Sequence, residues 1–183
     1  MKHVILGFFD RFKKIPANHR IFRGYYHDGD VVYTYLSNID GKKHVFDGEF
    51  KVKYDFGDGK YAKAKGTYAN DIKQGRWEFV RNGFTTKRSL SIDFNNGQME
   101  GTLACNFRKK GFFNLQVSRL TMTVKNGKIV GPVTGVLSNK AIPDDFRNDP
   151  KLVEQVNSIL EECIPVLLTL APRGHDVQEI QVS

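Results

Sequence analysis

Apolar and polar residues alternate with a period of two through the middle of the chain. In residues 49–56 every even-numbered position is aromatic or aliphatic, and every odd-numbered position is charged. Similar alternation recurs between Arg76 and Val124. A period of two with polar residues on one side is the pattern of a β-strand with one buried face. We therefore expect about nine strands between Ile21 and Leu137.

Turn-forming dipeptides separate these runs. They are Asp40-Gly41, Asn82-Gly83, Asn96-Gly97 and Asn126-Gly127. Asn, Asp and Gly tolerate the positive φ angles of tight hairpin turns. Short strands joined by such turns pair with their neighbours in sequence, so the pattern predicts an antiparallel β-meander.

A helix is predicted at Asp149–Leu170, where apolar residues recur at helical spacing. Asp149 suits the N-cap, and Pro150 suits the first turn. Pro165 is expected to end or kink the helix. The apolar side of the helix is expected to pack on the apolar face of the sheet. Val4–Ile15 is predicted to form a second, short helix.

These elements predict a mainly β protein with a single domain over residues 1–183. Residues 1–19 form an N-terminal segment, 20–142 the β-meander, 143–171 the C-terminal α-helix and 172–183 a tail. In the alternative architecture, about nine strands close fully or partly into a β-barrel that holds a ligand cavity.

A spaced repeat runs through the strands. Three segments align on Gly75, Gly101 and Gly131, and a weaker copy ends at Gly48. The aligned segments have an apolar residue seven positions before the glycine, a turn residue four before it and a large apolar residue two after it. The residues that define the repeat are Gly48, Phe50, Tyr68, Gly75, Trp77, Phe94, Gly97, Gly101, Leu103, Gly127 and Gly131. Each unit reads as a hairpin in which the glycine permits close backbone approach. Several hairpins must stand side by side to bury one face.

The repeat resembles the MORN family, the membrane occupation and recognition nexus. The best matches are residues 126–131 and 96–101, and residues 73–77 match the second half of the unit. The resemblance covers roughly residues 41–135 and is greatest to divergent bacterial members, some of them antitoxin-like. It implies a hairpin sheet that binds a partner, which would be a toxin in the antitoxin-like case.

The net charge of +8 is unevenly distributed. Residues 1–24 carry +5, 25–88 carry +3, 89–142 carry +5 and 143–183 carry −5. Either the acidic segment packs against the basic body, or the body leaves a basic surface for an anionic partner. Candidate residues for that surface are Arg20, Arg23, Arg108, Lys109 and Lys110.

Catalytic motifs are missing from the sequence. The glycines lie in hairpins rather than in a phosphate-binding loop, and neither a nucleophile elbow nor a metal-binding spacing is present. We therefore expect no enzyme activity, no cofactor and no metal. The apolar surroundings of Cys105 and Cys163 predict buried free thiols. With no apolar run long enough to cross a membrane and no secretion signal, the sequence favours a cytoplasmic protein.

Three functional hypotheses follow. The leading one is a binding module that engages a protein partner through the exposed sheet face. The first alternative is peripheral binding of anionic phospholipid by the basic body, and the second is carriage of a small apolar ligand if the sheet closes. Basic and aromatic residues interleave near Phe112, a pattern that single-stranded nucleic acid also favours, but we regard that partner as unlikely.

Overall fold

The computed structural model describes Ile15 and residues 17–26, 29–39, 42–112, 114–168 and 170. Eleven antiparallel strands form one sheet. The strands are β1 Arg20–Tyr26, β2 Gly29–Ile39, β3 Lys42–Asp55, β4 Tyr61–Ala69, β5 Ile72–Asn82, β6 Thr86–Asn95, β7 Gln98–Met99, β8 Gly101–Lys110, β9 Leu115–Lys125, β10 Lys128–Leu137 and β11 Lys140–Ala141. A 3₁₀ turn, Phe146–Asn148, precedes the helix α1, Pro150–Leu168.

The strands follow one another across the sheet in sequence order, and only β7 lies off this path, paired with β6. The predicted antiparallel meander is therefore confirmed. Two short strands of two residues each, β7 and β11, raise the number above the expected nine. Within the described chain, β1 and β11 lie at opposite edges and do not pair, so the sheet is open and the closed alternative does not form.

One face of the sheet carries the core. Across β2–β5 this face is mostly aromatic, and across β8–β10 it is mostly aliphatic. Helix α1 lies over β5, β6 and β8 and buries four side chains against them. These are Val156, Leu160, Cys163 and Ile164. The predicted packing of an apolar helix side on the sheet is confirmed.

The helix begins where the sequence predicts. The Asp149 carboxylate accepts hydrogen bonds from the backbone N–H groups of Lys151 (2.9 Å) and Leu152 (3.4 Å), as an N-cap does. Pro165 does not end the helix, which continues to Leu168. The predicted N-terminal helix at Val4–Ile15 lies outside the described residues except for Ile15, and so does the tail.

The repeat glycines form bulges. Tyr33 pairs with Phe50 and Tyr35 with Phe46, so three residues centred on Gly48 lie opposite Thr34 alone. The register shifts by the same amount at Gly75 and Gly131. The φ angles of the four repeat glycines are 97°, 61°, 100° and 79°. Positive φ values of this kind favour glycine, which explains the spacing of the repeat.

The side chains two positions after each repeat glycine fill the core. Phe50, Trp77 and Leu103 are fully buried, and Val133 is nearly so. The apolar residues that open the aligned units, Tyr68, Phe94 and Val124, are buried too. The spacing of the repeat therefore determines which positions place apolar residues in the core.

The hairpins reverse at two ends of the sheet, which differ in construction. At one, which we call the turn end, two-residue turns at 70–71, 96–97 and 126–127 join the strands. At the other, the loop end, the longer segments 56–60, 83–85 and 111–114 join β3 to β9, and a two-residue turn at 138–139 joins β10 to β11. The turns at the turn end place both of their residues at positive φ.

Candidate functional site

The loop end exposes large apolar side chains. Phe84 is 86% exposed and Phe112 is 96% exposed, each at the tip of its loop. Phe56 in the preceding loop is 54% exposed, and Leu115 at the start of β9 is 52% exposed. Phenylalanine side chains normally lie inside a protein. A group of exposed phenylalanines on adjacent loops therefore marks a candidate interaction surface.

Hydrogen bonds join the loops to their neighbours. The Asn82 side-chain amide donates to the Gly59 carbonyl (2.9 Å), and the Lys110 N–H donates to the Thr85 carbonyl (2.7 Å). Within the third loop, the Gly111 N–H donates to the Asn114 carbonyl (2.7 Å). The three loops therefore form a connected rim rather than separate extensions.

Cations surround this rim. Five exposed cations lie within the first or last few residues of β5, β6 and β8 at this end of the sheet. They are Arg81, Lys87, Arg108, Lys109 and Lys110. The sequence contains no Asp or Glu in residues 79–92 or 101–143. The loop end is thus positively charged over β5, β6 and β8.

Two of these cations, Lys87 and Arg108, cluster with Arg119 of β9 on the polar face of the sheet, the face opposite α1. Lys87 on β6 lies directly across from Arg108 on β8, and Arg119 on β9 lies across from Asn106. We call Lys87, Arg108 and Arg119 the basic triad. Together with Ser89 and Asn106 they line a shallow depression of about 410 Å³.

Over β3–β6 the polar face is more nearly charge-balanced. On β3–β6 each of several cations contacts a carboxylate: Lys51 with Glu49 (3.2 Å), Lys65 with Glu78 (3.0 Å) and Arg76 with Asp93 (3.0 Å). Among the described residues, no member of the basic triad has a carboxylate within salt-bridge distance. The triad therefore differs from the paired cations of β3–β6.

The five basic residues proposed from the sequence do not form one patch. Arg20 and Arg23 lie on β1, six strands from β8, which is roughly 29 Å at the usual strand spacing. Arg108, Lys109 and Lys110 follow one another on β8, so alternate members point to opposite faces. Arg108 belongs to the triad, whereas Lys109 lines a cleft of about 880 Å³ beside α1.

A lysine lies in the core near the turn end. Lys73 is 5% exposed, and its Nζ lies 5.8 Å from the ring centre of Tyr68, 5.5 Å from that of Trp77 and 5.9 Å from that of Phe94. Burial lowers the pKa of Lys73 to about 8. The corresponding positions in the other units hold Phe46, Met99 and Ile129, so this lysine replaces an apolar residue.

The two cysteines are free and buried, as predicted. Cys105 on β8 and Cys163 on α1 are hydrogen-bonded to each other, which raises the pKa of Cys105 and lowers the pKa of Cys163. Their contact joins the helix to the sheet. Among the described residues, no three His, Cys, Asp or Glu side chains come together as a metal site. His19 instead contacts Asp47 (2.8 Å).

Comparison with known proteins yields no relative: no family model, no curated protein and no solved structure matches the chain. The MORN resemblance therefore stays a prediction. In the described part of the chain, no helix is both long and apolar enough to cross a membrane.

Sequence reasoning missed most of this site. It noted Phe112 but not Phe84, and Arg108 but not Lys87 or Arg119. One signal was present: Phe84 follows the Asn82-Gly83 turn, outside any alternating run. The absence of acids from residues 101–143 was a second signal. Which loops share an end, and which cations face each other, depends on strand register.

Proposed function

We propose that the protein is a non-catalytic binding module that attaches peripherally to anionic membrane surfaces through its loop end. The observation that carries this proposal is the pair of highly exposed phenylalanines, Phe84 and Phe112, on adjacent loops among cations. Peripheral membrane proteins commonly combine these two features, because apolar groups enter the interface while cations attract anionic lipid.

The energies involved are sufficient for reversible attachment. Fully burying a phenylalanine side chain is worth about 1.5–3 kcal/mol. Each Lys or Arg near an anionic bilayer adds about 1 kcal/mol. The binding free energy from two rings and several cations together therefore exceeds that from any single contact. Because anionic lipids give the cytoplasmic leaflet its negative potential, we place this activity on the cytoplasmic side.

Co-sedimentation with vesicles tests the proposal. We expect binding to phosphatidylcholine vesicles that contain phosphatidylserine, and little binding to phosphatidylcholine alone. Binding should weaken as salt rises from about 0.1 M to about 1 M, because the Debye length falls from roughly 10 Å to 3 Å. The double variant Phe84→Ser/Phe112→Ser should lower the partition coefficient at least about tenfold.

A matched control comes from the turn end. Ile72 is also an exposed apolar residue, at 41%, but it lies beside the turn at 70–71. Ile72→Ser should leave vesicle binding unchanged. Equal losses from Ile72→Ser and from the double variant would overturn the loop end as the attachment site, and so would binding that ignores both salt and anionic lipid.

A protein partner is the second candidate, favoured by a different surface. On the polar face of β8–β10, Thr102 pairs with Thr123, and Thr121 pairs with Thr134. These four threonines are exposed and form an uncharged strip with Val130. Interface centres are depleted in charge, as this strip is. Thr121→Arg should abolish capture of such a partner without changing vesicle binding. Undiminished capture by this variant would remove the protein-partner candidate.

A further inference from the structure

Two features of the basic triad bear on what it can bind. Its members come from three adjacent strands, β6, β8 and β9. Lys87 and Arg108 are direct cross-strand partners. Like charges that lie directly opposite each other destabilise a sheet. The arrangement therefore favours an anion that can interact with both cations at once.

The neighbouring polar groups are also suited to an anion. Ser89 pairs with Asn106, which pairs in turn with Arg119, so a hydroxyl and an amide lie in one row with the guanidinium. The two guanidiniums and the ammonium are donors only, while the hydroxyl and the amide can each donate as well. The depression that these five residues line contains no carboxylate.

We propose that the basic triad is a binding subsite for the phosphomonoester headgroup of a membrane lipid, an inference that rests on the proposed function. A phosphomonoester carries a charge of about −1.5 to −2 and three strong acceptor oxygens. Three neighbouring cations match this charge and the three acceptor oxygens. They match a phosphodiester less well, because it carries only one negative charge. Arginine is the side chain best suited to such bidentate recognition, and the triad has two.

The location of the triad suits a headgroup that extends from the bilayer. Lys87 lies two residues after the loop that carries Phe84, and Arg108 lies three residues before Gly111. Arg119 lies further from the rim, because it is level with Ser89 rather than with Lys87. With the phenylalanines in the interface, a phosphate standing above the acyl chains would meet the triad from the loop side.

The test compares two vesicle types of equal surface potential, one with phosphatidylserine and one with phosphatidic acid. The unmodified chain should bind phosphatidic acid vesicles about tenfold more tightly than phosphatidylserine vesicles. Arg119→Gln should remove that preference and leave phosphatidylserine binding intact, because Arg119 is not one of the rim cations. Lys65→Gln, on the charge-balanced part of the same face, is the matched control and should keep the preference. Unchanged thermal unfolding of Arg119→Gln shows that the variant is folded.

The outcomes separate the subsite from the proposed function. Equal binding to both vesicles by the unmodified chain would overturn the subsite and leave membrane attachment standing. Failure to bind either vesicle would overturn both. A third measurement follows the backbone amide signals of Ser89 and Asn106 by NMR during addition of inorganic phosphate. Saturable shifts without a vesicle preference would assign the triad to soluble phosphate and overturn the lipid headgroup.

Discussion

The two ends of the sheet reverse the same strands in different ways. At the turn end, a backbone N–H of each turn, at 70–71, 96–97 and 126–127, donates a hydrogen bond to the preceding hairpin. These bonds run from Asp71 N to Phe46 O (2.8 Å), from Gly97 N to Lys73 O (3.0 Å) and from Gly127 N to Met99 O (3.2 Å). At the loop end, the loops vary in length and expose Phe84 and Phe112. The repeat thus constrains one end and leaves the other free to carry a binding surface.

This comparison assigns stability to the turn end and binding to the loop end. The bulges and the large aromatic residues lie toward the turns, so changes there should destabilise the fold. The exposed rings lie beyond the last strand residues, so changes there should alter binding alone.

The largest effect is expected at Trp77. Its indole is fully buried, donates to the Thr67 carbonyl (3.1 Å) and contacts the Tyr68 ring at 5.0 Å between centres. Trp77→Ala should lower the free energy of unfolding by about 3–5 kcal/mol, measured by chemical denaturation. Trp77→Phe keeps a ring and should lose less than half as much. Equal losses from both variants would show that the hydrogen bond, not the buried volume, dominates.

Lys73 is expected to give a pH effect of about 3 kcal/mol in full, of which about 2 kcal/mol appears below about pH 9.5. Its pKa is about 8 in the folded protein and 10.5 as the ordinary value. Between these values the unfolded chain binds more protons, so the free energy of unfolding should rise with pH. Below pH 8 Lys73 is protonated in both the folded and the unfolded state. The full cost of burying its charge then lowers the free energy of unfolding.

The control for this effect is Lys73→Met, since Met99 occupies the corresponding position. The free energy of unfolding of this variant should not show the rise with pH that Lys73 gives the unmodified protein. Subtracting one pH curve from the other cancels the contributions that the cysteines make to both. Measurements should stop near pH 9.5, since Tyr33, with its pKa raised to about 12 by burial, lowers stability at higher pH. Parallel curves would contradict the assignment to Lys73.

A smaller difference is expected between two repeat glycines. A Cβ atom on Gly48 would collide with the Thr34 hydroxyl, which is itself bonded to the Asp47 carbonyl (2.5 Å). A Cβ atom on Gly75 would meet nothing within 4 Å. Gly75→Ala should cost about 1 kcal/mol for its positive φ, and Gly48→Ala should cost about 2 kcal/mol more. Thermal unfolding at one pH compares them, and equal costs would show that Thr34 moves aside freely.

The sequence predicted the turn end far better than the loop end. Turn chemistry and the period of two are local signals, so the hairpins and buried residues such as Phe50, Trp77 and Leu103 could be placed from spacing alone. The bulge geometry could not, because it appears only when the opposite strand is known. Lys73 was missed as a core residue because a lysine beside a turn usually points to solvent. The basic triad depends on the register of three strands.

The smallest effect on stability is expected at the loop end. Phe84 and Phe112 are 86% and 96% exposed, so replacing both by Ser removes little buried surface. The free energy of unfolding should change by less than about 0.5 kcal/mol, although vesicle binding falls. Phe94→Ser is the contrasting variant, because Phe94 is 7% exposed and contacts Trp77, and it should destabilise strongly. A loss above about 1 kcal/mol from the loop-end double variant would mean that its rings support the fold, and the division between the two ends would then fail.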